Sequence, residues 1–213
     1  MVVDRYLTVA RAGLHESEIK RSRFLCAVAP VDGEEAAQDF VRAVRKQHPG
    51  ATHNCFAYVI GPEGRLHRAS DDGEPGGTAG TPMLQVLLGR EVRDTVAVVT
   101  RYYGGVQLGA GGLARAYGGA VSAALDAVGT LERRRLALLD VTADHATAGR
   151  LENDLRGAGH TVRDVSYGAA VTLHIGVPEA EVPAFRAWLA DATSGAASAE
   201  VRGSAFVDVR ADA

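Results

Sequence analysis

Three carboxylates, Asp71, Asp72 and Glu74, fall close together inside a glycine-dense stretch over residues 70–80. Carboxylates at this spacing can hold Mg²⁺ or accept hydrogen bonds from arginines across a cleft. They can equally serve turns, for which Asp-Gly and Glu-Pro-Gly are ordinary chemistry. The residues leave these roles open, with Gly76, Gly77 and Thr78 completing one acidic wall. A second glycine-dense stretch reads Arg101-Tyr102-Tyr103-Gly104-Gly105-Val106-Gln107-Leu108-Gly109-Ala110-Gly111-Gly112. Glycine is concentrated where backbone must turn sharply or admit a close neighbour, so the two stretches read as one exposed backbone surface.

The second stretch leads straight into a helix predicted over 111–128. Unpaired N–H groups around Gly109, Gly111 and Gly112 then point out of the first turn, with the positive end of the dipole behind them. Such a terminus suits phosphate or carboxylate. Arg115 in the first turn and Arg101 at the end of the preceding strand can add charge, and Tyr102, Tyr103 and Tyr117 can stack on bases. Tight packing of a Gly/Ala helix on a sheet accounts for the same glycines without a ligand. The spacing matches neither a Walker loop nor GxGxxG.

Other candidates are weaker. Lys20-Arg21-Ser22-Arg23 is a basic run entering a strand, either a solvated edge or a phosphate contact. His53 and Cys55 share one strand face, which fits a buried thiol beside a partnered imidazole better than a nucleophile pair. The remaining histidines form no spaced cluster, and zinc lacks ligands nearby. Basic and acidic residues balance through residue 130, so the net charge of −3 arises beyond it and does not mark a polyanion binder. Arginine dominance over Lys20 and Lys46 fits genome composition as readily as phosphate binding.

The elements that must position these groups follow from periodicity. Strands are predicted over 5–11, 23–31, 52–60, 65–69 and 94–100. A one-sided helix runs from an Asp32 cap to about residue 47, and a second starts at Thr81-Pro82 and ends at Gly89. On the 111–128 helix, Leu113, Ala116, Tyr117, Ala120, Val121, Ala124, Leu125 and Val128 share a side. Beyond residue 130 the order is βαββαβ, the ferredoxin-like arrangement.

The chain has 213 residues, 46% of them hydrophobic, enough for one or two globular domains. No run approaches the roughly 18 uninterrupted apolar residues of a membrane span. The N-terminus lacks the pattern of a secretory signal, and two cysteines fit a reducing compartment, so the expected location is cytoplasmic.

Four motifs, Lys20-Arg21-Ser22-Arg23-Phe24, His53-Asn54-Cys55-Phe56-Ala57-Tyr58, and residues 70–82 and 98–117, closely resemble bacterial YigZ-like members of the IMPACT family. The resemblance spans the whole length. It implies an α+β protein with an N-terminal domain over 1–130, of the ribosomal-protein-like α/β fold shared with domain IV of elongation factor G. It also implies a ferredoxin-like C-terminal domain over 131–213, similar to the last domain of that factor. Eukaryotic relatives inhibit activation of the stress kinase that phosphorylates initiation factor 2. They use an added N-terminal domain not in this sequence, so that mechanism is not carried over. The resemblance supplies no catalytic residues. Tyr103 stands where Phe is frequent, and Gln107 stands where Lys is frequent, which removes a charge from the glycine loop.

The expectation is a non-enzymatic RNA- or ribosome-binding protein acting in translation, without a cofactor or membrane. Lys20, Arg21, Arg23, Arg101 and Arg115 would be counter-charges, and the C-terminal domain would dock protein or rRNA. Two rivals stand beside it: a Mg²⁺-dependent enzyme acting on a phosphorylated small molecule through Asp71, Asp72 and Glu74, and a protein–protein adaptor whose glycines serve only packing. The oligomeric state is left open.

Overall fold

Alternating apolar residues build the first sheet. In the computed structural model, which describes residues 3–209, the chain runs β1 (Arg5–Val9), β2 (Gly13–Ile19), β3 (Ser22–Pro30), α1 (Glu34–Gln47), β4 (His53–Ile60) and β5 (Leu66–Ser70). It continues through α2 (Gly80–Gly89), β6 (Thr95–Tyr102) and α3 (Ala110–Val128). The sheet order is β2-β3-β6-β4-β5, antiparallel throughout. Central β6 alternates its burial between two helical layers. Val96 and Val98 pack with Ala37, Val41 and Val44 of α1, whereas Ala97 and Val99 pack with Met83 and Leu87 of α2 and with α3. All eight α3 residues expected on the apolar side are buried, each larger one contributing roughly 1.5–3 kcal/mol.

Register fixes what meets at the end of β6. Arg101 lies opposite Phe24 of β3 and His53 of β4. All three therefore share the face toward α2 and α3, where alternation calls for apolar side chains.

Two helix starts differ from expectation. Gly33, not Asp32, occupies the α1 cap position, with no side-chain cap bond. For α2, the start lies at Gly80 rather than Thr81-Pro82, and the cap is distant in sequence. The Asp71 carboxylate accepts from the backbone N–H groups of Gly77 (2.8 Å), Ala79 (3.0 Å) and Gly80 (2.8 Å). The strand β2 was not apparent in the sequence, because its outward positions carry Leu14, Glu16 and Glu18 and its inward ones Gly13, His15, Ser17 and Ile19.

The chain divides into two compact units, and the division at Arg133/Arg134 falls within β7 (Thr130–Ala143). The second unit continues with α4 (Ala148–Gly157), β8 (Thr161–Tyr167), β9 (Val171–Pro178), α5 (Val182–Thr193) and β10 (Ser198–Val209). Its order β8-β9-β7, with β10 also on β7, is that of a ferredoxin-like sheet. Leu139, Val141, Leu173 and Ile175 pack against Leu151, Leu155, Phe185 and Leu189 of the two helices. Elsewhere in this unit, Ser166 Oγ lies 2.5 Å from His174 Nε2, His174 Nδ1 lies 2.6 Å from Asp140, and Arg202 reaches the other Asp140 oxygen at 2.9 Å. No helix among the described residues is long and apolar enough to cross a membrane.

Burial raises the Asp71 carboxyl, but the three amide donors outweigh it and hold the group below the usual carboxylate range. A depressed folded value stabilises at neutral pH and is lost as pH falls through it. Asp71→Asn, which removes the charge and one of the two acceptor oxygens, should therefore cost about 1–2 kcal/mol at pH 7 in denaturant unfolding. The gap to the parent should close below about pH 4, and a gap of equal size at pH 3 would refute the cap.

Candidate functional site

A guanidinium placed where the sheet demands an apolar residue must be paired. Arg101 is 5% exposed, and its Nη1 donates to Glu74 Oε1 at 2.6 Å. Glu74, from the first glycine stretch, is 8% exposed and also accepts from the Tyr117 hydroxyl at 2.7 Å. Arg101 Nη2 reaches Ser22 Oγ at 3.3 Å, and the guanidinium lies 5.5 Å from the Phe24 ring centroid and 5.3 Å from that of Tyr103. The Arg101 Nε–H has no acceptor among the described residues.

Beside this pair, His53 Nε2 sits 3.9 Å from Glu74 Oε2. His53 Nδ1 lies 2.8 Å from the Asp72 carbonyl oxygen. A carbonyl only accepts, so Nδ1 carries the hydrogen and Nε2 is left as the acceptor of the neutral ring. The Cys55 thiol donates to the Asp71 carbonyl at 3.0 Å, and burial pushes it up to about 12. It is no thiolate nucleophile. Burial likewise raises the Tyr117 phenol, reinforced by Cys55 and Glu74.

The basic run is brought alongside. Ile19 pairs with Ser22, so Lys20 and Arg21 form a two-residue hairpin turn with φ of 47° and 66°. Both are exposed. A Cβ on Gly104 would lie 1.9 Å from the Arg21 carbonyl oxygen, so only glycine fits there. The Gly104 N–H donates to Ser22 Oγ at 3.1 Å, clamping the turn to the glycine loop.

The second stretch then turns into α3 through Gly109, at φ 71°. Its first helical bond runs from Leu113 N to the Gly109 carbonyl at 2.9 Å. Gly109, Ala110 and Gly111 are exposed, and α3 has no side-chain cap. Arg115 folds back so that its Nη1 lies 3.7 Å from where a Gly111 Cβ would stand. Between this helix head and the Arg101–Glu74 pair opens a cleft of about 480 Å³, walled by Thr52, His53, Pro75, Tyr103, Gln107, Leu108, Gly109, Ala110 and Leu113. Its helix-head side carries the positive end of the α3 dipole, while on its floor the Arg101 charge is matched by the Glu74 carboxylate.

Of the residues singled out in the sequence, Glu74, Arg101, Tyr103 and Gly109 face this cleft. Lys20, Arg21 and Gly104 stand together as the clamped turn, and Gly111, Gly112 and Arg115 belong to the helix head. Gly105, at φ 83°, is an exposed turn of the loop.

Several expectations need correction. Tyr117 is fully buried, so it presents no ring face to a base. Arg101 is not a free counter-charge, because Glu74 neutralises it. Arg23 pairs with Glu16 at 2.7 Å and lies over the Tyr102 ring, whose hydroxyl is 2.9 Å from His48 Nδ1. Asp72 accepts from Asn54 N at 2.6 Å and Arg45 Nη2 at 2.7 Å. With Asp71 on the α2 amides and Glu74 on Arg101, the three carboxylates point to three different partners. No group of three or more His, Cys, Asp or Glu among the described residues is arranged to hold a metal. Gly76 is exposed, Gly77 serves Asp71, and the Thr78 hydroxyl donates to the Pro75 carbonyl at 2.6 Å. Thr52 and the Nε2 of His53 were not foreseen as cleft groups. Strand register across β6 places them, and no local motif announces it.

Removing one partner of a buried ion pair strands the other. Glu74→Ala should destabilise by about 3–5 kcal/mol in urea unfolding. A loss under about 1 kcal/mol, the scale of a solvated pair, would show that the pair does not hold the cleft floor.

Comparison with known proteins follows the same division. A family model described as the Impact N-terminal domain matches residues 20–125, and one described as a domain of unknown function (DUF1949) matches residues 141–196. The chain is 47% identical over 190 residues to the IMPACT family member YvyE of Bacillus subtilis (strain 168), covering 89% of this chain and 88% of that protein. It is 43% identical to the IMPACT family member YigZ of Escherichia coli (strain K12) over 180 residues, covering 84% and 88%. Protein IMPACT of Bos taurus is 37% identical over 95 residues, covering 42% of this chain and 29% of that protein. A solved structure described as that of a hypothetical protein has 40% sequence identity and a TM-score of 0.63, covering 94% of this chain and 98% of that one.

Proposed function

As this chain belongs to the IMPACT family, we propose that it is a non-enzymatic, translation-associated protein that binds RNA or the ribosome, taking phosphate at the glycine-rich cleft. One observation carries the reading: α3 opens with exposed, uncapped amides beside the Arg115 guanidinium. The Lys20-Arg21 turn supports RNA over a small acid. It extends the basic surface outside the cleft, and it does so at a cost. Left-handed backbone is costly for residues with a side chain, and Asn-Gly is the preferred pair for such a turn. Two basic residues held there favour contact over stability as the reason for their presence. The second unit would dock protein or rRNA. Family membership supports the link to translation.

Fluorescence anisotropy with a structured RNA, repeated between about 50 and 200 mM salt, tests the reading. Affinity should fall steeply, and Arg115→Ala should weaken binding and flatten the log–log salt slope by about one. No binding at low salt, together with no ribosome co-sedimentation, would overturn it.

A double change, Lys20→Asn with Arg21→Gly, separates contact from scaffold. It should raise stability by about 1 kcal/mol while lowering RNA affinity. Unchanged RNA affinity would remove the turn from the interface.

A further inference from the structure

We infer that the second unit carries a nucleophilic serine, Ser166, activated by His174 and Asp140, which takes the acyl group of a small, neutral, activated ester and passes it to water. The inference goes beyond the non-enzymatic reading of the first unit's cleft and does not depend on it.

The three residues come from three neighbouring strands and share the sheet face turned away from α4 and α5. Asp140 of β7 lies opposite His174 of β9, and Ser166 of β8 lies opposite Thr172, the next residue of β9 on that face. A bulge decides the outcome. Between Val162 and Asp164 the register of β8 slips by one residue, so Val165 packs toward the core and Ser166 turns outward. In an unbroken ladder the same serine would sit opposite Val171 and face the core. Bulges often re-aim a side chain in this way beside active sites.

The hydrogen bonds then run in one direction. A carboxylate only accepts, so His174 Nδ1 carries the hydrogen donated to Asp140 Oδ1 at 2.6 Å. Nε2 is left as the lone pair of the neutral ring and accepts from Ser166 Oγ at 2.5 Å. Arg202 of β10 donates to Asp140 Oδ2 and to Glu200, each at 2.9 Å. Burial raises the Asp140 carboxyl, but the bonds from Arg202 and His174 outweigh it and hold the group below the usual carboxylate range. Nucleophile, base and orienting carboxylate thus stand in contact, in the order by which such a triad is recognised on any fold.

A depression of about 470 Å³ opens beside the Asp140–His174 pair, lined also by Leu138, Arg163, Asp164 and Arg202. Ser166 is exposed and adjoins it through His174. Two guanidinium groups face two carboxylates there, so with His174 neutral the space favours no net charge. Leu138 offers a short acyl group an apolar contact. Amides of a sheet point along its plane rather than out of its face, so no backbone oxyanion hole looks at Ser166. The substrate must therefore bring a good leaving group.

In the reaction, the Ser166 Oγ–carbon bond forms as the hydroxyl proton passes to His174 Nε2. The tetrahedral adduct then breaks its ester C–O bond, and the departing oxygen takes the proton from Nε2. Water attacks the acyl-serine, giving a proton to Nε2 and then through it to Oγ as the acid leaves. Asp140 stays ionised throughout and positions the ring.

The test uses the full chain with a fluorophosphonate probe and with 4-nitrophenyl acetate. The probe should label one serine, and peptide mapping should place it at Ser166. Ser166→Ala should abolish the label and slow nitrophenol release by about a hundredfold or more. His174→Ala should do the same, with added imidazole restoring part of the rate. Asp140→Asn, as a positioning change, should lower kcat and leave KM unchanged. Ser166 is exposed, so Ser166→Ala should keep the parent melting temperature, which separates lost chemistry from misfolding. An unlabelled Ser166, or nitrophenol release unchanged in a folded Ser166→Ala, would overturn the inference and leave the three residues as a polar ladder across the sheet.

Discussion

The buried Arg101–Glu74 pair is the constraint on which the site depends. Glu74 comes from the first glycine stretch, Arg101 from the end of the central strand, and the Tyr117 hydroxyl from α3, all meeting at one carboxylate oxygen. Desolvating two charges is unfavourable, and their attraction compensates only when geometry and further hydrogen bonds are good. Here Ser22, Tyr117 and the rings of Phe24 and Tyr103 supply those contacts. The pair therefore constrains three distant segments together. The walls of the cleft follow from the same link.

The glycines then divide into two kinds. Gly104 is required by packing, since the Arg21 carbonyl occupies the space a side chain would need. Gly109 is required by backbone conformation, at φ 71° where the chain enters α3. At others, such as Gly119 and Gly149, an added Cβ would meet nothing within 4 Å, so no such requirement acts there. Packing thus accounts for one glycine of this stretch and backbone conformation for another. A tight contact clamps the basic Lys20-Arg21 turn to the glycine loop, and an open turn leaves the helix head bare.

Much of this was legible in the sequence where one local rule decided the outcome. The eight-residue apolar side of α3 is buried as its periodicity requires, and βαββαβ beyond residue 130 gives the ferredoxin-like sheet. Legibility failed where the partner was distant. Asp71 looked like part of a metal-binding or arginine-binding wall, but it caps α2 from nine residues upstream of Gly80. Tyr117 satisfied both the apolar stripe and the stacking list, and no sequence rule says that its hydroxyl is claimed by Glu74. His53 entered only as a companion of Cys55, because the register opposite Arg101 is a property of the folded sheet.

The contrast between the two helix heads that frame the first unit's chemistry gives the site its electrostatic character. At α2 the protein supplies its own anion, and the Asp71 carboxylate satisfies three amides there. At α3 no side chain does so, and the adjacent guanidinium of Arg101 is already neutralised by Glu74. What remains exposed at this end is partial charge from the helix dipole and the Arg115 guanidinium. Partial charges at a solvated helix end contribute about 0.3–1 kcal/mol each, too little to trap a lone phosphate. A ligand held there must gain the rest of its affinity from neighbouring contacts. Under the proposed RNA reading, those contacts would come from the exposed Lys20-Arg21 turn.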